Sequence, residues 1–167
     1  RNLYMGTELR DRTMGIIGVG GIGGTLVKLL RSFRMKETIA FDPYLSEDKA
    51  IQLGVKLVDL NTLMRQADYI SVNCPLVEET RNLINSEHIA MMKPTAYLIT
   101  TARGGIVNEQ ALVNALRNKA IAGAAVDVFE KEPLGENNPY SGLDNVILAP
   151  HAIGWTDELY RDMGSMC

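Results

Sequence analysis

A glycine-rich loop between a short apolar run and an amphipathic helical pattern constrains the fold of this chain most strongly. The loop reads Gly18-Val19-Gly20-Gly21-Ile22-Gly23 and fits the pattern G-x-G-x-x-G. In such a loop the first glycine permits a tight turn, the second leaves room for a pyrophosphate, and the third lets helix and strand pack closely. The helix N-terminus then presents free N–H groups and a partial positive charge to phosphates. Glycine-rich turns also occur for structural reasons alone, so the loop needs support from its surroundings.

An acidic residue at a suitable distance gives that support. Asp42 ends the second predicted strand, 19 residues after Gly23. At this position a carboxylate accepts hydrogen bonds from the ribose hydroxyls of adenosine. It would repel the additional phosphate of NADP, and no Arg or Lys follows before Lys49, so we predict NAD as the cofactor. Because Asp42 precedes Pro43, it also fits a purely turn-forming role.

Short apolar runs alternate with helical patterns along the chain, an order typical of a parallel sheet covered on both faces. Strands are predicted over residues 14–17, 38–41, 55–58, 69–72, 96–99, 121–128 and 146–148. The first helix is predicted from the spacing of Ile22, Leu26, Leu29, Leu30 and Phe33. Ser46, Asp59 and Asn108 are predicted helix caps, Gly54 closes the helix that Ser46 opens, and another helix is predicted over 86–92. We therefore predict one doubly wound, mostly parallel α/β domain of the Rossmann type.

Composition excludes several classes of function. The 167 residues are 46% hydrophobic and 22% charged, as in an ordinary globular domain. A net charge of -3 and a pI near 5.4 argue against a nucleic-acid partner, and no apolar run is long enough to cross a bilayer. Cys74 and Cys167 are too few for a disulfide framework or a metal cluster, so we expect no metal and a cytoplasmic setting.

Three further stretches place reactive side chains directly after predicted strands. Arg103 follows the fifth strand among glycines, and its guanidinium can bind a carboxylate through two hydrogen bonds. Asp127 lies near the end of the sixth predicted strand, Glu132 follows that strand, and His151 follows the seventh. Histidine exchanges protons near neutral pH, and a nearby carboxylate favours its charged form. Ligands of open α/β sheets bind at this carboxyl edge.

In their order, these stretches and the glycine loop resemble the cofactor domain of the D-isomer-specific 2-hydroxyacid dehydrogenases. The resemblance runs from about Gly6 through His151. It implies an oxidoreductase that transfers a hydride between NAD(H) and a small D-2-hydroxy or 2-oxo acid. It also implies a homodimer and a second, substrate-binding lobe built from both ends of a longer chain. Since the chain begins at Arg1 and ends in a helical pattern, we expect both ends to be cuts, and we expect the fragment to bind NAD but turn over poorly.

The resemblance also assigns roles to individual positions. Arg103 matches the arginine that binds the substrate carboxylate and carbonyl, His151 the acid/base histidine, and Glu132 the glutamate paired with it. Gly21 and Ile22 match the pair whose backbone meets the pyrophosphate. Positions that match further cofactor contacts are Pro75 and Thr101, which line the cofactor, and Asp127, at the nicotinamide carboxamide.

Each of these residues also has a purely structural interpretation. Arg103 fits a surface charge in a tight turn, Asp127 a turn residue, Glu132 a solvated loop charge and His151 a satisfied loop histidine. Their order and their places at strand ends favour the catalytic interpretation. We interpret His88 as structural, and we expect Cys74 to line the cofactor cleft without reacting.

The chain departs from the family pattern after the histidine, where Ala152-Ile153-Gly154-Trp155 replaces a glycine-rich run. Trp155 is therefore either a wall of the substrate pocket or a packing residue between domains. An alternative function is a non-enzymatic NADH-sensing module like the corepressors built on the same fold. Phosphite oxidation also stays open, whereas formate oxidation is disfavoured because Glu132 is a glutamate where that enzyme has glutamine.

Overall fold

The structure is a computed structural model that describes residues 6–136 and 138–165. Strands and helices alternate through the described chain, as the apolar pattern predicts. They are β1 Thr13–Ile17, α1 Gly21–Leu30, β2 Glu37–Phe41, α2 Glu47–Leu53, β3 Lys56–Leu57, α3 Leu60–Gln66, β4 Tyr69–Val72, α4 Ser86–Ala90, β5 Tyr97–Thr100, α5 Glu109–Arg117, β6 Gly123–Val126, β7 Val146–Leu148 and α6 Asp157–Ser165.

All seven strands are parallel and lie in the order β3-β2-β1-β4-β5-β6-β7. The chain builds the sheet outward from β1 to β3, then returns to β4 and builds in the opposite direction. The predicted doubly wound sheet is thereby confirmed. The order reverses between β1 and β4, and in such sheets ligands bind in the crevice beyond the carboxyl ends at that point.

The central strand β1 contributes to a hydrophobic core on each face of the sheet. Met14 and Ile16 pack in one cluster with Val27 of α1 and Ala50 of α2. Ile17 belongs to a larger cluster with residues of α3, α4 and α5. All five residues of β1 are buried, as expected for a strand covered on both sides. This packing fixes the carboxyl end of β1, from which the glycine loop leaves.

The three predicted helix caps are confirmed by hydrogen bonds from backbone N–H groups of the first turn. Ser46 accepts one from Lys49, Asp59 from Thr62, and Asn108 from Ala111. Gly54 closes α2 in the left-handed conformation, with φ of 74°. The capping residues in the sequence therefore determine where α2, α3 and α5 begin.

Three predicted elements are too long. The strand predicted over 55–58 contains only Lys56–Leu57, because it lies at the sheet edge and pairs with β2 alone. The strand predicted over 121–128 pairs only over Gly123–Val126, since the chain then leaves the ladder toward the site. The helix predicted over 86–92 ends at Ala90, with Met91 as its C-cap.

The first helix also differs from its prediction. It ends at Leu30, and Arg31–Phe33 forms a 3-10 turn that Arg34 terminates with φ of 54°. Ile22 and Leu29 are 72% and 64% exposed, so they lie outside the buried face. That face carries Gly23, Gly24 and Val27 instead.

Among the described residues, the structure contains no helix long and apolar enough to cross a membrane.

Candidate active site

The glycine loop contains two kinds of glycine. Gly18 has φ of 86°, and a Cβ there would lie 2.8 Å from the backbone nitrogen of Cys74. A Cβ on Gly23 would overlap the carbonyl oxygen of Gly18. Packing therefore requires both glycines. By contrast, a Cβ on Gly20 or Gly21 would meet no protein atom within 4 Å. The space in front of the α1 N-terminus is open, which fits a dinucleotide whose phosphates approach the backbone.

The loop borders a cavity of about 410 Å³, which is within the usual size range of small-molecule sites. Four predicted cofactor residues come together here: Gly18, Gly20, Asp42 and Pro75. The cavity lies beyond the carboxyl ends of β1, β2 and β4, where the order of the sheet reverses. This is the place predicted for the adenosine side of the cofactor.

Asp42 has a structural role at the mouth of this cavity. Its Oδ2 accepts a hydrogen bond from the Val19 N–H at 2.8 Å, and its Oδ1 accepts one from the Tyr44 N–H at 2.9 Å. The hydrogen bond from Tyr44 forms the turn that the sequence predicts for an Asp that precedes Pro43. Each carboxylate oxygen can accept a further hydrogen bond, so this role leaves capacity for ribose hydroxyls.

Cys74 is half-buried and lines the same cavity. Burial raises the pKa of its thiol, and the charge of Asp42 adds to the effect. The thiolate is the nucleophilic form, so the surroundings of Cys74 disfavour reaction.

A second groove, of about 520 Å³, contains Gly21, Ile22 and Thr101. Asn73 lines both this groove and the first cavity, directly after β4. Its Nδ2 donates to the carbonyl and hydroxyl oxygens of Ser71, at 3.2 and 3.1 Å. Sequence reasoning missed Asn73, although its place directly after a buried strand was an available signal.

Glu132 and His151 are in direct contact. Nδ1 of His151 lies 2.7 Å from Oε2 of Glu132, whose Oε1 accepts a hydrogen bond from the Phe129 N–H at 2.9 Å. The hydrogen bond with His151 and then that from Phe129 hold the pKa of Glu132 below its usual value, against a smaller effect of burial. An ionised carboxylate only accepts hydrogen bonds, so Nδ1 carries the proton and Nε2 is left for proton exchange. The pair lines a cavity of about 540 Å³.

The loop that carries His151 is anchored from below. Asp127, at the end of β6, is 3% exposed. Its Oδ1 accepts from the Ala152 N–H at 3.0 Å, and its Oδ2 accepts from the Ile153 N–H at 3.3 Å. His151 has φ of 55°, a left-handed conformation that costs energy outside glycine. The buried carboxylate therefore holds the chain just beyond a strained histidine, a role that the sequence did not reveal.

Arg103 is exposed, and its Nη1 donates to the carbonyl oxygen of Ala102 at 2.6 Å. It does not line the cavity that Glu132 and His151 share. Its charge nevertheless contributes to lowering the pKa of Glu132. The next residue, Gly104, packs so closely on Phe129 that a Cβ would overlap the Phe129 carbonyl. The arginine loop, which contains Arg103 and Gly104, therefore packs against the segment that leads to Glu132.

Two other singled-out residues lie apart from these contacts. His88 is in α4, and its buried Nδ1 has no hydrogen-bond partner among the described residues. Trp155 is 64% exposed and packs edge to face on Tyr160, with ring centroids 6.3 Å apart. In the described part of the chain, no group of three or more His, Cys, Asp or Glu side chains is placed to hold a metal ion.

The fold, the glycine loop and the cavity beside Asp42 together define a dinucleotide-binding domain of the Rossmann type. The family described as "D-isomer specific 2-hydroxyacid dehydrogenase, NAD binding domain" matches residues 1–152. The chain belongs to this family, and residues 1–152 match its NAD-binding domain.

Relatives and solved structures agree with this family. D-3-phosphoglycerate dehydrogenase of Synechocystis sp. is 45% identical over 158 residues, which cover 95% of this chain and 28% of that protein. Glyoxylate reductase of Thermofilum pendens is 44% identical over 162 residues, covering 96% of this chain and 48% of that protein. The structure of D-lactate dehydrogenase from Lactobacillus jensenii with NAD+ has a TM-score of 0.89 at 28% identity, covering 99% of this chain and 53% of that one. The chain spans about half or less of the length of these proteins.

Proposed function

We propose that the protein containing this domain transfers a hydride between NAD(H) and a small D-2-hydroxy acid or its 2-oxo acid. The contact between His151 and Glu132, 2.7 Å from Nδ1 to Oε2, is the observation that carries the proposal. It supplies an oriented proton donor after β7, at the same carboxyl edge of the sheet that carries the glycine loop. Relatives named phosphoglycerate dehydrogenase, glyoxylate reductase and D-lactate dehydrogenase support this reaction class.

Three residues divide the chemistry. Arg103 binds the substrate carboxylate. To do so, its exposed guanidinium gives up the hydrogen bond to the Ala102 carbonyl oxygen and donates to the charged carboxylate instead. His151 donates the Nε2 proton to the carbonyl oxygen as negative charge develops there, and it takes that proton back in the oxidative direction. Glu132 stabilises the imidazolium and fixes the ring. When bound, the reduced nicotinamide supplies the hydride to the carbonyl carbon.

The cofactor is proposed to occupy the cavity of about 410 Å³ and to extend toward the groove of about 520 Å³, which share Asn73 in their lining. Asp42 binds the adenosine ribose, and the backbone of Gly21 and Ile22 meets the pyrophosphate at the α1 N-terminus. Asp127 contacts the nicotinamide carboxamide with the acceptor capacity that its two backbone bonds leave. The remaining proposed contacts are Gly18, Gly20, Pro75 and Thr101, which line these cavities, and Gly23, which is buried at the start of α1.

We further propose that the protein is a cytoplasmic homodimer and that the chain alone binds NAD but turns over poorly. Family resemblance supports the dimer. The limited coverage of the relatives supports a second lobe, which would close over the substrate and exclude water.

The experiment is a steady-state assay of the full-length protein with NADH or NADPH and a panel of 2-oxo acids that includes glyoxylate, hydroxypyruvate and pyruvate. We expect NADH-dependent reduction of at least one acid, abolished in His151→Gln. His88→Gln, at the only other histidine of the chain, is the matched control and should retain activity. Tight NADH binding by a folded protein that reduces none of the acids would overturn the proposal and favour an NADH-sensing module.

A further inference from the structure

Two glutamates next to the site hold each other's backbone. The N–H of Glu109, the first residue of α5, donates to Oε1 of Glu130 at 3.0 Å. The N–H of Glu130 donates to Oε2 of Glu109 at 3.3 Å. The first N–H groups of a helix lack partners within the helix, so Glu130 also caps α5 from a distant loop. This reciprocal pair joins segments that lie 21 residues apart in sequence.

The pair lies where two parts of the site meet. Glu130 follows Phe129, whose N–H donates to the Glu132 carboxylate at 2.9 Å. Gly104, which follows Arg103, is packed against the Phe129 carbonyl without room for a Cβ. A shift of the Phe129–Glu130 segment would therefore move both Glu132 and the arginine loop.

A separate observation shows that the polar groups converge here. Thr100 is 3% exposed, and its Oγ1 has no hydrogen-bond partner in the part of the chain that the structure describes. Thr100, Arg103, Glu109 and Glu130 line one small pocket of about 10 Å³, close to the space that a single water molecule needs. Burial raises the pKa of Glu109 by more than the hydrogen bond from the Glu130 N–H lowers it, and the charge of Glu130 adds to the increase. Glu109 is therefore not an ordinary solvated surface charge.

We propose that Glu109 and Glu130 are positioning residues that hold Arg103 and Glu132 in a fixed relation during reduction of the substrate. Neither glutamate is assigned contact with substrate or cofactor; both act through the backbone that they clamp. Catalysis is sensitive to such placement, because a displacement of about 1 Å can cost on the order of 100-fold in rate. The activity readout of this inference rests on the proposed function.

The test uses the full-length protein with Glu130→Ala, Glu130→Gln and, as the control at another exposed glutamate, Glu136→Ala. Glu130→Ala removes the acceptor for the Glu109 N–H and should lower kcat about 10- to 100-fold, with the Kd for NADH changed less than about 2-fold. Glu130→Gln keeps an acceptor oxygen and should restore at least about half of kcat. The control should behave as the parent protein.

Amide hydrogen exchange makes the test independent of the reaction. In Glu130→Ala the Glu109 and Phe129 amides should exchange faster than in the parent, whereas Glu136→Ala should leave them unchanged. A kcat within about 2-fold of the parent in Glu130→Ala would overturn the inference, as would an equal loss in Glu130→Gln. If the parent reduces no 2-oxo acid, the proposed function fails on its own. Unchanged exchange at Glu109 and Phe129 would then overturn the clamp separately.

Discussion

The Glu132 carboxylate bridges the His151 ring and the protein backbone. Its Oε2 lies 2.7 Å from Nδ1 of His151, and its Oε1 accepts the Phe129 N–H at 2.9 Å. The ring orientation is therefore set by a carboxylate whose other oxygen is held by the backbone. A histidine so placed can exchange a proton only through Nε2.

Removing the charge of Glu132 while keeping its shape should show how far proton transfer by His151 depends on that charge. We expect Glu132→Gln in the full-length protein to lower kcat for 2-oxo acid reduction by about 100-fold, because the imidazolium loses its charged partner. The Kd for NADH should stay within about 2-fold, and Glu136→Gln serves as the charge-matched control. A steady-state assay with parallel NADH titration checks this, and a loss of less than about 3-fold would contradict it.

The anchor beneath the histidine loop predicts a stability effect. Asp127→Ala leaves the N–H groups of Ala152 and Ile153 without their acceptor, so we expect a loss of about 1–3 kcal/mol in the free energy of unfolding. Asp127→Asn keeps one acceptor oxygen and should lose less. Urea unfolding measures both variants. Equal stability of Asp127→Ala and the parent would show that the anchor contributes nothing.

The two kinds of glycine in the loop predict opposite effects of alanine. Gly20→Ala meets no protein atom, so we expect unchanged stability but NADH binding weaker by about 10-fold or more, roughly 1.4 kcal/mol. Gly23→Ala overlaps the Gly18 carbonyl and should lower the free energy of unfolding by about 1–3 kcal/mol. Thermal unfolding and calorimetric titration separate the two effects. NADH affinity unaffected by Gly20→Ala would place the pyrophosphate elsewhere.

An ion pair at the opposite edge of the sheet predicts a pH dependence of stability. Asp68 accepts hydrogen bonds from Lys93 Nζ and the Thr13 N–H, each at 2.8 Å, and is 15% exposed. Burial raises the pKa of Asp68, but these hydrogen bonds and the charges of Lys93 and Arg12 together lower it below its ordinary value of 3.8. Because the folded pKa is the lower one, the stabilisation is fully present above pH 3.8 and is lost as pH falls through the folded value.

We therefore expect Asp68→Ala to lower the free energy of unfolding by about 1–3 kcal/mol near neutral pH. The difference from the parent should shrink as the pH falls below 3.8. Asp144→Ala is the control, since its partner Lys119 is 3.8 Å away and both side chains are exposed. Denaturant unfolding at several acidic pH values measures this difference. If the difference in the free energy of unfolding between Asp68→Ala and the parent did not change with pH, the ion-pair explanation would be refuted.

Much of the fold follows from local sequence rules. The alternation of apolar runs and helical patterns predicted every strand of the sheet, and the caps at Ser46, Asp59 and Asn108 were correct. Element ends were less predictable. The edge position of β3 shortens it to Lys56–Leu57, and no local pattern encodes which strand lies at an edge.

Much of the candidate site was also visible in the sequence as separate stretches. The glycine loop, Asp42, Arg103, Glu132 and His151 were each placed after a strand, because strand ends in a parallel sheet share one edge. The contacts among them were not encoded locally. Asn73, the anchoring role of Asp127 and the pair of Glu109 with Glu130 went unnoticed, since each depends on a partner elsewhere in the fold.

The sequence by itself determined the elements, the glycine loop and the residue types at the strand ends, because propensity and hydrophobic periodicity act over a few neighbouring residues. Only the tertiary structure decided that Glu132 contacts His151, 19 residues further along the chain. It also decided that both carboxylate oxygens of Asp127 accept hydrogen bonds from the loop after His151. Those pairings depend on strand order and loop packing. They are hydrogen bonds formed only after distant segments have been brought to one edge of the sheet.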